Sequence, residues 1–307
     1  MALEPLDLSG CRILITGPSG QVAEPVVAAL AKQADVTALA RFTKESDRQR
    51  IAALGATCIG VDLADPQGLR DVPGDFDYLL NFAVVKSGDF DYDLAANGEG
   101  VGRLMLHCRN VKAFLHFSTT AVYEYAGHEP RAEDSPLGDN HRVMFPTYSI
   151  AKIAAETVCR FVAHQFGIPT TIARLSVPYG DNGGWPFYHL LMMKEGIPIE
   201  LHPEGPNYYN LLHVDDYLEK IPRLLAAATT GVTTVNFGGS VKTSIEAWCA
   251  YLAELTGFEP VFEENPQAFG SLCIDTTRMH ELIGPTSVEW KTGIRRMVES
   301  LAPELIK

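Results

Sequence analysis

The chain has 307 residues, 38 of them acidic and 25 basic, for a formal net charge of −13. That surplus of carboxylate opposes nucleic acid and anionic membrane surfaces, both of which need a basic face. The length suffices for one large domain or two closely packed ones.

The six cysteines are scattered, with no Cys-x-x-Cys pair and no histidine spacing for zinc, so they read as reduced thiols and no metal site is expected. The opening MALEPLDLSG is acidic and carries no long apolar run, and no segment reaches the ~18 apolar residues of a membrane helix. The expectation is a cytoplasmic protein acting on a small molecule.

The first half alternates short apolar runs with helical patterns. Strands are expected at 11–16, 35–40, 57–61, 78–83, 114–118 and 170–175, with helices at 22–32, 44–54, 94–109 and 147–166. Strict alternation gives a parallel sheet with helices on both faces, the Rossmann-type doubly wound α/β architecture. After Val177 the pattern loosens into the turn-rich PYGDNGGWP. Helices follow at 187–195, 215–228, 244–256 and 292–301, with a short strand at 197–201. A last run at 232–237 (VTTVNF) reads as a strand returning to the main sheet. The division predicted is a dinucleotide-binding part over 1–177 and a smaller, interleaved substrate lobe over 178–307.

Gly17-Pro18-Ser19-Gly20-Gln21-Val22-Ala23 lies between the first strand and the first helix. Gly17 permits a tight turn, Gly20 lets backbone approach a pyrophosphate, and a small residue at Ala23 lets helix and strand pack closely. The helix N-terminus then offers free N–H groups to phosphate, which makes Gly17, Ser19, Gly20, Gln21 and Val22 candidate cofactor contacts. The second strand ends in Ala40 where an acid would bond the ribose of NAD, and Arg41 follows. A planar guanidinium suits a 2′-phosphate, so NADP is favoured over NAD.

Tyr148 and Lys152 are four apart on a predicted helix and share one face. A free phenol titrates near ~10, and a neighbouring ammonium is expected to lower that value so that the tyrosine can exchange a proton with a substrate oxygen. Thr119 ends the fifth strand in FSTTAVY, at the sheet edge where ligands bind, with Thr120 beside it as a substrate-side hydroxyl.

Taken together these segments resemble the extended short-chain dehydrogenase/reductases, the NAD(P)-dependent epimerase/dehydratase group. The resemblance covers nearly the whole chain. It implies that Asp62 and Leu63 of VDLAD contact the adenine, that Ala83 of NFAV passes the cofactor, and that Asn97, the helix asparagine of NGEGVGRLML, belongs to the catalytic set. It further implies that Thr119, Tyr148 and Lys152 are catalytic, Lys152 also holding the nicotinamide ribose. Val177 and Pro178 of RLSVPYG would flank the nicotinamide, and a homodimer through a helix bundle is implied.

Two departures from that group's pattern narrow the chemistry. Tyr209 stands where nucleotide-sugar epimerases carry an arginine for the substrate diphosphate. Thr120 and Ala121 stand where dehydratases carry an Asp-Glu pair, so elimination of water is not expected. Trp185 and Tyr209 become candidates for a less charged substrate, with a place in the lobe's core as the alternative for Trp185, and His213 is a further substrate-side candidate.

The leading expectation is a hydride-transfer oxidoreductase for an alcohol or ketone, with Tyr148 as acid/base. The alternatives are a nucleotide-sugar epimerase that reduces and reoxidises its cofactor within one turnover, and a non-catalytic dinucleotide sensor.

Overall fold

The structure is a computed structural model and describes residues 2–307. Seven strands form one sheet: β1 (Arg12–Thr16), β2 (Asp35–Ala40), β3 (Thr57–Gly60), β4 (Tyr78–Asn81), β5 (Ala113–Thr119), β6 (Thr170–Leu175) and β7 (Thr233–Phe237). Their spatial order is β7-β6-β5-β4-β1-β2-β3 and every pairing is parallel. The helices are α1 (Ala23–Leu30), α2 (Glu45–Ala53), α3 (Phe90–Leu94), α4 (Gly100–His107), α5 (Tyr148–Phe166), α6 (Trp185–Glu195), α7 (Val214–Ala226), α8 (Ile245–Thr256), α9 (Thr277–Ile283) and α10 (Trp290–Leu301).

Because side chains alternate along a strand, each strand supplies both faces of the sheet. Ile13 and Ile15 point to one side and pack with Val26, Leu115, Ile221 and Leu224. Leu14 points to the other and packs with Leu79, Phe114, Leu104 and Val162. Each such fully buried aliphatic side chain contributes about 1.5–3 kcal/mol over its exposed state. A third cluster around Tyr179, Leu190, Trp248, Leu252 and Ile294 forms the core of the second lobe, built on α6, α8 and α10.

The strand order sets the position of the site. From β1 the chain steps outward through β2 and β3, then crosses back to lay β4 on the other side of β1. The turns leaving β1 and β4 therefore diverge and open a crevice at their carboxyl ends, as in other doubly wound sheets.

Two differences from the sequence reading have physical causes. The helix expected at 94–109 starts earlier, at Phe90, because the Asp89 carboxylate accepts the Tyr92 N–H at 3.1 Å and caps it. It is also interrupted by a π turn, Ala95–Glu99, which carries Asn97. The seven-residue α9 follows a loop and was not expected, since so short a helix carries almost no periodicity. Among the described residues all six cysteines are free, four of them buried, and no helix is long and apolar enough to cross a membrane.

Candidate active site

The crevice holds two adjoining cavities that share Gly17, Gly20, Phe82 and Val84. The first has a volume of about 270 Å³ and is lined by Ser19, Arg41, Asp62, Leu63, Ala83 and Asn97, among others. The second has a volume of about 580 Å³ and is lined by Gln21, Val22, Thr119, Thr120, Tyr148, Lys152, Val177, Pro178, Trp185 and Tyr209, among others. The fold thus gathers residues from positions 17 to 272 around one cleft.

The Gly17 turn is set by close approach. Gly17 has φ +65°, its N–H donates to the Leu39 carbonyl at 3.1 Å, and its carbonyl accepts the Gly20 N–H at 3.1 Å. A Cβ on Gly17 would sit 2.9 Å from the Ala83 backbone. Below it polar groups join the ends of β1 and β4 to the middle of β5. The Thr16 hydroxyl donates to Asn81 Oδ1 at 2.5 Å and accepts the Ala83 N–H at 3.1 Å, while Asn81 Nδ2 meets His116 Nδ1 at 2.8 Å. This narrow backbone cradle at the start of α1 fits a dinucleotide pyrophosphate.

At the outer end of the first cavity Arg41 is exposed and donates to the Tyr92 hydroxyl at 2.9 Å, and that hydroxyl donates to the Asp62 carboxylate at 2.7 Å. The cation and the anion are therefore bridged by a phenol and do not form an ion pair with each other. Asn97 needs correction as a catalytic residue. Its amide accepts the Val85 N–H at 2.8 Å and donates to the carbonyls of Val85 and Asp93 at 2.7 and 2.8 Å. Both of its polar ends grip backbone, so it braces the segment after β4 instead of reaching reacting atoms.

In the second cavity α5 presents Tyr148 and Lys152 one turn apart, beneath the end of β5. Thr119 and Tyr148 line this cavity together, and the Thr119 hydroxyl accepts the Ala121 N–H at 3.2 Å. Burial pushes the Tyr148 phenol above its ordinary 10, and the nearby Thr119 hydroxyl only partly opposes it. Lys152 is buried and donates from Nζ to the Phe117 carbonyl at 2.8 Å. Burial pushes the ammonium down to about 8, opposed by Cys159 and Glu156. The expected lowering of the phenol by the lysine is thus not what this geometry gives: desolvation dominates both groups, and the cation is committed to a carbonyl. Ser118 is turned away, donating to Glu156 at 2.6 Å, where Glu156 also pairs with buried Arg174 at 2.8 Å.

The substrate-side candidates separate. Tyr209 is buried and its hydroxyl donates to the Phe269 and Gly270 carbonyls at 3.1 and 2.6 Å, so it offers the cavity a ring edge and no cation. Trp185 meets it edge-on at 4.9 Å and follows Gly184, whose φ of +130° and close contact with Tyr179 admit no side chain. His213 lines neither cavity, which corrects its candidacy. It is buried, its Nδ1 accepts the Asp215 N–H at 3.2 Å to cap α7, and Tyr179 and Gly293 pack on it.

Four lining or supporting groups were not anticipated. Lys86 stands at the mouth with Nζ 3.9 Å over the Phe145 ring. His141 and Phe269 stack on each other inside it. Buried Asp93 accepts from Ser87, Gly88 and, at 2.5 Å, from Thr147, tying the loop after β4 to the residue before Tyr148. Their signals are single residues in loops, without period or motif. Asp93 is the exception in principle, since an acid three residues into a helix facing a Ser-Gly turn is a recognisable hydrogen-bonding pattern.

A profile of the NAD dependent epimerase/dehydratase family matches residues 13–238. The dTDP-glucose 4,6-dehydratase of Xanthomonas campestris pv. campestris (strain B100) is 28% identical over 169 residues, covering 52% of this chain. The aligned part spans less than half of that relative, 45% of its length. An uncharacterized 37.6 kDa protein of Escherichia coli O111:H- is 24% identical over 288 residues, covering 83% of this chain and 85% of that protein. Among solved structures, the UDP-glucuronic acid 4-epimerase from Bacillus cereus, in complex with UDP-glucuronic acid and NAD, aligns with a TM-score of 0.78 at 20% identity, covering 95% of this chain and 99% of that one. The UDP-glucose 4-epimerase of Thermotoga maritima aligns with a TM-score of 0.80 at 21% identity, covering 96% and 99%. At these identities the likeness of structure is a likeness of fold.

Proposed function

This chain belongs to the NAD dependent epimerase/dehydratase family, and from that premise we propose that it is a cytoplasmic, homodimeric NAD(P)-dependent oxidoreductase acting on an apolar alcohol or ketone. The observation that carries the reading is one cavity. Thr119, Tyr148 and Lys152 line it together with the Gly17–Gly20 turn, and its lining includes no arginine and no carboxylate. Its walls are instead Phe82, Phe117, Phe145, Trp185, Tyr209 and Phe269, within the size range of small-molecule sites.

A bound nicotinamide supplies hydride to a carbonyl carbon or takes it from a carbinol. The chain's own residues handle the oxygen. Tyr148 gives the proton in reduction and takes it in oxidation, Thr119 orients the oxygen, and Lys152 holds the nicotinamide ribose. Burial keeps the Tyr148 phenol protonated at neutral pH, the form that donates in reduction.

The cofactor assigned is NADP in preference to NAD. What supports it is Arg41, whose partner at the mouth of the first cavity is a neutral phenol, leaving its charge available to a 2′-phosphate. What supports a homodimer is the apolar surface of α4 and α5, which expose Leu106, Phe161 and Phe166.

A second reading, turnover of a nucleotide sugar without net redox change, is favoured by what the relatives act on. Opposed to it is Tyr209, which replaces a diphosphate-pairing cation with a buried phenol. The test is purified protein with NADPH or NADH and a panel of aryl and alkyl ketones, beside UDP-glucose and dTDP-glucose. Net oxidation of NADPH by a ketone is the expected result. Conversion of a nucleotide sugar with no net change in the cofactor would establish the second reading instead.

A further inference from the structure

His141 lies in the loop between β5 and α5, seven residues before Tyr148, and lines the second cavity. Its ring stacks on Phe269 at 4.2 Å and 24°, and its centroid is 6.0 Å from that of Tyr148. Its protonation can be read from its neighbours. Asn140 donates from Nδ2 to the Tyr123 carbonyl at 2.8 Å, which fixes the amide and turns Oδ1 towards His141 Nδ1. An oxygen facing Nδ1 requires that nitrogen to carry the hydrogen. Nε2 is then an acceptor, and among the described residues no protein group bonds it. Burial, followed by the charge of Lys86, pushes His141 down to about 4, so the ring is neutral at physiological pH.

The cavity that His141 lines is walled mostly by rings, with Lys86 as a cation among them. Phe269, Phe145, Trp185 and Tyr209 offer ring faces and edges, and the Tyr209 hydroxyl is already occupied by backbone carbonyls. A flat ring can slide between such walls, at offset-stacked or edge-on geometry. A substrate group that could only accept would meet the Nε2 lone pair and leave both acceptors without a donor. A cationic ring is disfavoured by Lys86 at the mouth.

We infer that His141 is a specificity-determining residue that accepts, through Nε2, a hydrogen bond from a hydroxyl on an aromatic ketone or alcohol whose reacting oxygen lies at Tyr148. This rests on the oxidoreductase reading of the same cavity and narrows its substrate to hydroxylated aromatic carbonyl compounds and their alcohols. His141 sets which substrate stays, and no proton in the reaction passes through it.

The probes are acetophenone and its 2-, 3- and 4-hydroxy isomers, each reduced with NADPH and each titrated by quenching of tryptophan fluorescence, for which Trp185 in the cavity wall is the reporter. The wild type should favour at least one hydroxylated isomer over acetophenone by about tenfold or more in kcat/KM, the size of one well-placed hydrogen bond in a dry site. In His141→Phe, which keeps a flat ring, that ratio should fall towards one. In His141→Gln, which keeps a neutral acceptor, it should recover in part. Circular dichroism of both variants shows whether the fold is kept.

Equal turnover of all four ketones by the wild type, or an unchanged ratio in folded His141→Phe, overturns the inference. If no ketone is turned over, the titrations decide. Binding that prefers a hydroxylated isomer and loses the preference in His141→Phe supports His141 while breaking the reading of Tyr148. Binding without preference, or no binding, overturns His141.

Discussion

The two ends of the cleft are made differently. The cofactor end is built on the turns that leave β1, β2, β3 and β4, with Gly17 and Gly20 at its centre. The substrate end is lined by large rings that arrive from at least five separate segments, between Phe82 and Leu272. A backbone cradle is specified by where the chain must bend, so a few glycines determine it. A ring-lined chamber is specified by how remote loops pack, and can be re-lined without disturbing the sheet. Sharing of a fold at about 20% identity with nucleotide-sugar epimerases, together with a Tyr209 where a cation is expected, is what that division of labour permits.

The largest effect expected lies where the two ends meet. Tyr148→Phe should lower kcat by about 10²–10⁴-fold, the range for loss of a positioned acid/base. NADPH affinity, measured separately by fluorescence titration, should stay within about twofold, since the phenol belongs to the substrate half. A variant with undiminished kcat would remove Tyr148 from the chemistry and favour the sensor alternative. Next comes Gly17→Ala. The added Cβ would meet Ala83 at 2.9 Å in a backbone already at φ +65°. Strain of about 1–3 kcal/mol in the cradle should weaken either dinucleotide by about 10- to 100-fold. Binding of an aryl ketone, which touches Gly17 only at the shared edge of its cavity, should weaken less. Equal loss at both ends would show that the two cavities are a single cooperative unit.

The same contrast explains what could be read in advance. The sheet, its parallel order and the β1–turn–α1 cradle are written in contiguous stretches: Ile13, Leu14 and Ile15 supply alternate faces, Gly17 and Gly20 punctuate the turn, and Tyr148 and Lys152 are joined by one helical turn. Nothing local marks His141, Lys86 or Phe269, whose meaning arises only when their loops meet. Asn97 and His213 show the opposite failure. Each is a polar residue in a suggestive segment that turns to backbone: Asn97 braces Val85 with both ends of its amide, and His213 caps α7 through Nδ1. Sequence carries residue type and spacing, but whether a polar group faces a cavity or satisfies a buried amide depends on packing.

A smaller effect separates the two cofactors within the first end. Arg41→Ala removes an exposed cation whose present partner is the Tyr92 hydroxyl. NADP affinity should fall by about tenfold, as for one charge-assisted pair to phosphate, and NAD affinity by less than about twofold. Equal weakening of both, measured by calorimetry in the same buffer, would assign Arg41 to holding Tyr92 and Asp62 in place and leave the preference for NADP without support.

The smallest effect concerns Lys152, which reaches towards both ends from beneath β5. Its folded pKa is depressed by burial to about 8 from the ordinary 10.5. Between those values the unfolded chain binds the proton that the folded chain has released, so this residue's contribution to stability rises with pH. Below about 8 it is charged in both states and its desolvation opposes folding in full; above 10.5 it is neutral in both and the opposition is gone. Lys152→Met removes the titration but also the bond to Phe117, and that second loss does not vary with pH. The stability difference between wild type and variant, from urea midpoints at pH 7 and pH 9.5, should therefore shift towards the wild type by on the order of 1–2 kcal/mol. A difference that stays constant across that interval would mean the ammonium is solvated through the cleft. The chemical end would then be open to water as far in as Lys152, despite the rings that wall it.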